Sequence, residues 1–166
     1  MANLADKTVY WDACSWLGLI NQEADKYPGC KYTIDEAEQR RVEIWTSAFT
    51  LAEVFKRKCA GTMNALDVSK DQVFEDFLLR DFIVLVEVDR DIGTLARALL
   101  RRFSIKQPQD AIHIATAVWH NLDELHSFDE KIISLNDSIP KRDETMLLIK
   151  KPDIMPPPGP LFTGSP

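Results

Sequence analysis

Four carboxylates stand where a chain could gather them for chemistry: Asp12, Glu53, Asp110 and Asp129. Taken singly, each has an ordinary explanation. Asp12 suits a turn or cap directly after a strand, and Glu53 is a good helix former inside a helical pattern. Asp110, two residues after Pro108, suits the positive end of a helix. Asp129, in Ser127-Phe128-Asp129-Glu130, can cap a short helix that follows it. Brought together without a counter-charge, the four would repel and raise one another's pKa values. An all-oxygen cluster of this kind is what Mg²⁺ or Mn²⁺ requires, and it needs no Cys or His.

The elements that must position these acids can be read from the apolar pattern. Short runs predict strands at Thr8 to Trp11, Val42 to Thr46, Phe82 to Val88, Glu124 to Ser127 and Met146 to Ile149. The third, nearly all apolar, reads as a strand covered on both faces of a parallel sheet. Between them lie helical patterns near Ser15 to Asn21, Ser69 to Leu79, Asp91 to Phe103 and Gln109 to Asn121. Tyr27-Pro28-Gly29 marks a turn, and Thr33 with Glu36 forms a capping-box pattern for a short helix ending near Arg41. Ala48, Leu51, Ala52, Phe55 and Cys59 recur at helical spacing, with Gly61 as the stop. Strands alternating with helices predict an α/β fold, a mainly parallel central sheet flanked by helices. Ligands of such sheets sit beyond the carboxyl ends of the strands, which is where the acids fall.

Composition narrows the classes. The 166 residues, 45% apolar and 28% charged, describe one ordinary globular domain. The longest apolar run is Phe82 to Val86, far short of the roughly 20 residues a membrane span needs. Met1 to Asp6 lacks the basic start and apolar stretch of a secretory signal, so a cytoplasmic location is expected. Cys14, Cys30 and Cys59 form neither a disulfide framework nor a zinc pattern and are expected to be free thiols. The folded domain is expected over residues 5–150. Six of nine prolines fall in the last 15 residues, so 151–166 reads as a proline-rich disordered tail. No Gly-rich phosphate loop or G-x-S-x-G elbow is present, which argues against nucleotide-cofactor and serine-hydrolase chemistry.

The order and setting of the acids resemble the PIN domain family, including its VapC-type toxins. The matching residues are Tyr10-Trp11-Asp12, then Ser47 with Thr50-Leu51-Ala52-Glu53-Val54. After them come Gln109-Asp110-Ala111-Ile112-His113-Ile114-Ala115-Thr116-Ala117 and Ser127-Phe128-Asp129. The resemblance runs from about Thr8 to Ile149. It implies a PIN-like three-layer fold and a metal-dependent ribonuclease, with the toxin of a toxin–antitoxin pair as one form. Asp12, Glu53, Asp110 and Asp129 then become the catalytic residues that hold one or two Mg²⁺ or Mn²⁺ ions. RNA, an antitoxin protein and a second copy in a homodimer are the partners it implies. After Asp12, Ala13 and Cys14 remove a hydroxyl or amide that family members often carry, leaving Ser15 one step later. The alternative is a non-catalytic PIN-like module that binds protein or RNA.

With 26 acids and 20 bases, a net charge of −6 gives no overall field for nucleic acid, so any RNA contact must be local. Lys56, Arg57 and Lys58 follow Glu53, and Arg97, Arg101, Arg102 and Lys106 precede Asp110. Arg97, Arg101 and Lys56 are the candidate phosphate contacts; solvated helix faces explain the same charges about as well. His113 and His120 share a helix face but lack a partner at zinc spacing, so packing explains them better. Trp16 and Trp119 offer stacking surfaces for bases, or packing between helix and sheet.

Overall fold

The first strand sets the layers. β1 (Lys7–Trp11) turns Val9 and Trp11 to one face of the sheet and Tyr10 to the other, and all three are fully buried. The computed structural model describes residues 5–57 and 64–156. Within them β1, β2 (Val42–Ser47), β3 (Ile83–Val86), β4 (Glu124–His126) and β5 (Leu148–Lys150) form one five-stranded sheet, all parallel, in the order β3-β2-β1-β4-β5. In register, Val9 faces Ile44 on one side and Glu124 on the other.

Helices cover both faces. Val9, Trp11 and Ile44 pack with α1 (Ala13–Ile20), α2 (Tyr27–Glu38) and α4 (Val68–Leu78) through Trp16, Leu17, Ile34 and Phe74. Tyr10, Leu125 and Ile149 pack with α5 (Arg90–Arg102), α6 (Pro108–Trp119) and α7 (Glu130–Ile133) through Ile92, Leu99, Ile114 and Ile132. Ala111, Ala115 and Ala117 on α6 are completely buried, small side chains that let this helix sit close to the sheet. The remaining short helix, α3 (Ala48–Glu53), leaves the end of β2. Chain order reverses between β1 and β4, the crevice where such sheets place ligands.

Several local expectations change. Tyr27-Pro28-Gly29 does not make a separate turn but opens α2, with proline in its first turn. Thr33 is then a buried mid-helix residue bonded back to the Gly29 carbonyl at 3.1 Å, not a cap. β3 lies at the sheet edge with Leu85 42% exposed, so it is not covered on both faces. The helix expected from Ala48 ends at Glu53. Beyond it Leu66 N–H bonds Phe55 O at 2.8 Å and Lys56 bridges antiparallel to Ala65, which takes the backbone groups a longer helix would have used. Leu51 and Phe55 therefore stay partly exposed, while Cys59 and Gly61 lie outside the described residues.

The ordered chain also passes Lys150. Residues 151–156 carry no helix or strand, yet Pro152 is buried against Gly29, where a Cβ would stand 2.9 Å from the Pro152 carbonyl oxygen. The rest of the expected tail, 157–166, lies outside the described residues. Among the described residues no helix is long and apolar enough to cross a membrane.

Candidate active site

Asp12 leaves the end of β1 as the N-cap of α1. It is buried, and its Oδ1 accepts from Ser15 N–H at 2.9 Å and from the Ser15 hydroxyl at 3.0 Å. That hydroxyl also lies 3.2 Å from the His126 carbonyl, so Asp12 is tied to the end of β4. The hydrogen bond that Ala13 and Cys14 cannot supply comes from Ser15.

Asp129, after β4, caps α7 in the same manner: its Oδ1 accepts from Lys131 N–H at 2.8 Å. Glu53 is the last residue of α3, and its Oε2 lies 2.7 Å from His113 Nε2. Asp110 sits in the first turn of α6, one helical turn before His113. All four acids line one cavity of about 240 Å³, together with Lys56, Gln107, Gln109 and His113.

The electrostatics follow from this convergence. Burial first, then the neighbouring Asp129 charge, push the Asp110 carboxyl up to about 6; Asp12 and Glu53 add to this and His113 opposes it. His113 is the counter-charge. Tyr10 donates its hydroxyl proton to Ser47 Oγ at 2.9 Å, which leaves its oxygen to accept from His113 Nδ1 at 2.8 Å. Nε2 faces a carboxylate, so both ring nitrogens carry hydrogen and the imidazole is cationic. Burial holds its pKa down, but Tyr10 and Glu53 together outweigh burial and push it up to about 10.

His126 behaves differently. Trp11 Nε1 donates to its Nδ1 at 3.1 Å, so only Nε2 carries hydrogen, toward Glu124 at 2.8 Å. Burial lowers its pKa and the ring is neutral. Burial pushes the Glu124 carboxyl up, but His126 and then Lys7 outweigh it and bring it down to about 2. This pair belongs to the core between the strands. A further cavity of about 270 Å³ reaches His126 from the far side, but its Arg41 is paired with Glu36 and its Lys7 with Glu124.

The donor set fits a hard divalent cation. Asp12, Glu53 and Asp129 are each anchored through one oxygen, and no hydrogen bond reaches the other among the described residues. Asp110 has neither oxygen engaged among them. Oxygen-only ligands of this kind suit Mg²⁺ or Mn²⁺ and not zinc. The side chains line one cavity but stand apart: among the described residues no three His, Cys, Asp or Glu groups lie close enough together, as placed, to hold an ion.

The basic candidates separate. Lys56 lines the acid cavity, whereas Arg97 and Arg101 stand on the exposed face of α5 and line neither this cavity nor its neighbour; Lys58 lies outside the described residues. The neighbouring cavity, also about 240 Å³, shares Gln107, Asp110, Asp129 and Ile132 and adds Lys106 and Lys131. Among the described residues, Lys56, Lys106 and Lys131 are the lysines whose ammonium groups meet no carboxylate or amide. Lys131 and the two glutamines are not recognisable from sequence, because nothing in their spacing marks them. His113 carries a usable signal, since i and i+3 share a helix face and Asp110 is the i residue.

Trp16 is fully buried with its Nε1 donating to Thr46 Oγ1 at 3.2 Å, and the Arg142 guanidinium covers Trp119 at 4.2 Å from the ring centroid. Cys14, on the cavity wall, is not the free thiol expected. It is disulfide-bonded. Cys30 is free and buried, its thiol pushed up to about 12 by burial and then by Asp12.

The PIN domain family model matches residues 9–137. No curated protein matches the sequence. Among solved structures the chain is similar to Mycobacterium tuberculosis VapC20, a sarcin-ricin loop cleaving toxin, at 17% identity and a TM-score of 0.58, over 76% of this chain and 93% of that one. A toxin–antitoxin complex from Klebsiella pneumoniae gives 21% identity and 0.55, over 76% of this chain and 90% of that one. FitAcB from Neisseria gonorrhoeae gives 16% identity and 0.54, over 87% of this chain and 97% of that one. At these identities the structural likeness speaks for the fold. The family match spans most of the chain and all four acids, and the chain belongs to the PIN domain family.

Proposed function

We propose that this chain is a divalent-metal-dependent ribonuclease that hydrolyses RNA phosphodiester bonds as the toxin of a toxin–antitoxin pair. One observation carries the reading: four carboxylates from four separate segments line a single cavity, and three are anchored so as to leave one oxygen for a ligand. Asp12, Glu53, Asp110 and Asp129 would hold Mg²⁺ or Mn²⁺. Such an ion, when bound, would supply activation of a water and charge stabilisation for an in-line displacement at phosphorus. The chain's own groups do the rest. His113 offsets the acids' charge, and Lys56, Lys106 and Lys131 offer free ammonium groups to RNA phosphates on either side.

Two bound divalent ions would move the formal charge from −6 to −2, which favours an RNA partner. The toxin role is supported by the similar structures, which include a toxin and a toxin–antitoxin complex. Leu51 and Phe55, 40% and 43% exposed beside Glu53, support a protein partner there, either an antitoxin or a second copy in a homodimer. A cytoplasmic location belongs to the same proposal.

The rival is a non-catalytic binding module, and the open spacing of the acids favours it. Cleavage of a mixed RNA pool with Mg²⁺ or Mn²⁺, against EDTA and Asp110→Asn, separates the two. Metal-dependent cutting lost in the folded variant supports the enzyme. Equal cutting in EDTA defeats the metal mechanism, and no cutting at all favours the module.

A further inference from the structure

Glu53 ends a six-residue helix, and the chain leaves helical geometry at Val54. A long side chain at such a place has three rotatable bonds and, left alone, would sweep the cavity mouth. It is instead held from behind. His113 Nε2 donates to Oε2 at 2.7 Å, so Oε1 is the oxygen left to face the cavity.

His113 cannot turn away. The ring is 3% exposed, its Nδ1 meets the Tyr10 hydroxyl at 2.8 Å, and Tyr10 in turn bonds Ser47 at 2.9 Å. The rings of Tyr10 and Phe49 pack against it at 5.6 and 5.9 Å between centroids. The series Ser47–Tyr10–His113–Glu53 thus crosses β2, β1, α6 and α3 and fixes one carboxylate oxygen to the sheet interior. The His126–Glu124 pair makes a similar bond between two buried groups, with its carboxylate turned to Lys7 and away from the acid cavity. His113 differs in that its carboxylate partner is 21% exposed and opens onto that cavity.

We propose that His113 is a positioning residue for Glu53, buttressed by Tyr10 and Ser47, which presets the free Glu53 oxygen for a divalent cation. The proposal rests on reading the acids as a metal site. Partners behind a metal ligand typically change affinity by about 10- to 100-fold.

The test is Mn²⁺ affinity of the full chain, measured by electron paramagnetic resonance of the free ion, with folding followed by circular dichroism. His113→Leu is expected to weaken binding roughly 10- to 100-fold. His113→Gln, which keeps an N–H for Glu53, is expected to stay near wild type. In a Glu53→Ala background His113→Leu is expected to add no further loss, a coupling that a merely structural role would not produce. Should His113→Leu fail to fold, Tyr10→Phe takes its place, with a smaller weakening expected. Wild-type affinity in the folded His113→Leu or Tyr10→Phe protein overturns the proposal, as does an undiminished loss in the Glu53→Ala background. Absence of Mn²⁺ binding by the wild type is a different failure: it defeats the metal site itself and the positioning role with it.

Discussion

Ser15 gives both its backbone N–H and its hydroxyl to the same oxygen of Asp12, at 2.9 and 3.0 Å. One residue therefore caps a helix and orients a candidate ligand. Ser15→Ala keeps the N–H bond and loses the hydroxyl. It should cost about 1 kcal/mol of stability and weaken Mn²⁺ binding by about 10-fold or more. Chemical denaturation and a Mn²⁺ titration check the two effects separately. An unchanged Mn²⁺ affinity would leave the hydroxyl as a cap alone.

The Asp110 carboxyl, raised to about 6, sets a pH dependence. An acid whose folded pKa lies above its unfolded value keeps its proton longer in the native state. Its contribution is therefore favourable at low pH and is lost as pH rises from about 4 through about 6. Metal-free wild type should lose stability over that window relative to Asp110→Asn, and the gap should level off above it. Ion binding must displace the same proton, so apparent Mn²⁺ affinity should fall about tenfold per unit below pH 6. Parallel melting curves for the two proteins from pH 4 to 8 would contradict the raised value.

Ion binding to the folded state alone should stabilise the chain. At 100 times its dissociation constant the gain is about 2.7 kcal/mol, roughly a 5 to 11 °C rise in Tm for a domain of this size. Asp12→Asn keeps a cap of equal quality but removes a charge. It should raise the metal-free Tm or leave it unchanged while shrinking the rise with Mn²⁺. A flat Mn²⁺ response in the wild type would remove the site assignment and leave the fold intact.

The three free lysines and the pair Arg97 and Arg101 on α5 give different expectations. Replacing Lys56, Lys106 and Lys131 with alanine should flatten the salt dependence of single-strand RNA binding by about 0.7 for each phosphate no longer neutralised, about 2 in all. Arg97→Ala with Arg101→Ala, away from both cavities, should change the slope less. The reverse order would put the RNA path along α5.

Much of the architecture is legible in the sequence because strand and helix periods differ and the apolar runs are short and well separated. Helix ends are less so. Nothing in Phe55 to Cys59 says that the chain prefers a backbone pairing with Ala65 and Leu66 to another helical turn, since that choice is made by partners distant in sequence. The edge position of β3 is hidden for a related reason: an apolar run reports composition, not which neighbour is missing. The acids can be located because each lies at or near an element end. The charge that reconciles them is only hinted at by the spacing of Asp110 and His113, because His113 reads as a core residue until Tyr10 and Glu53 are seen on either side of it.

The anchoring of the acids implies an order of assembly. Asp12 and Asp129 take their bonds from residues three and two positions away, so those orientations arise with the first turn of α1 and α7. The bond between His113 and Glu53 spans 60 residues and closes a long loop, an entropic cost that only the packed sheet can offset. Two of the four acids are thus set locally by the chain, and Glu53 is set late by its topology. During refolding, Mn²⁺ binding should return with the last tertiary phase and not with the helices.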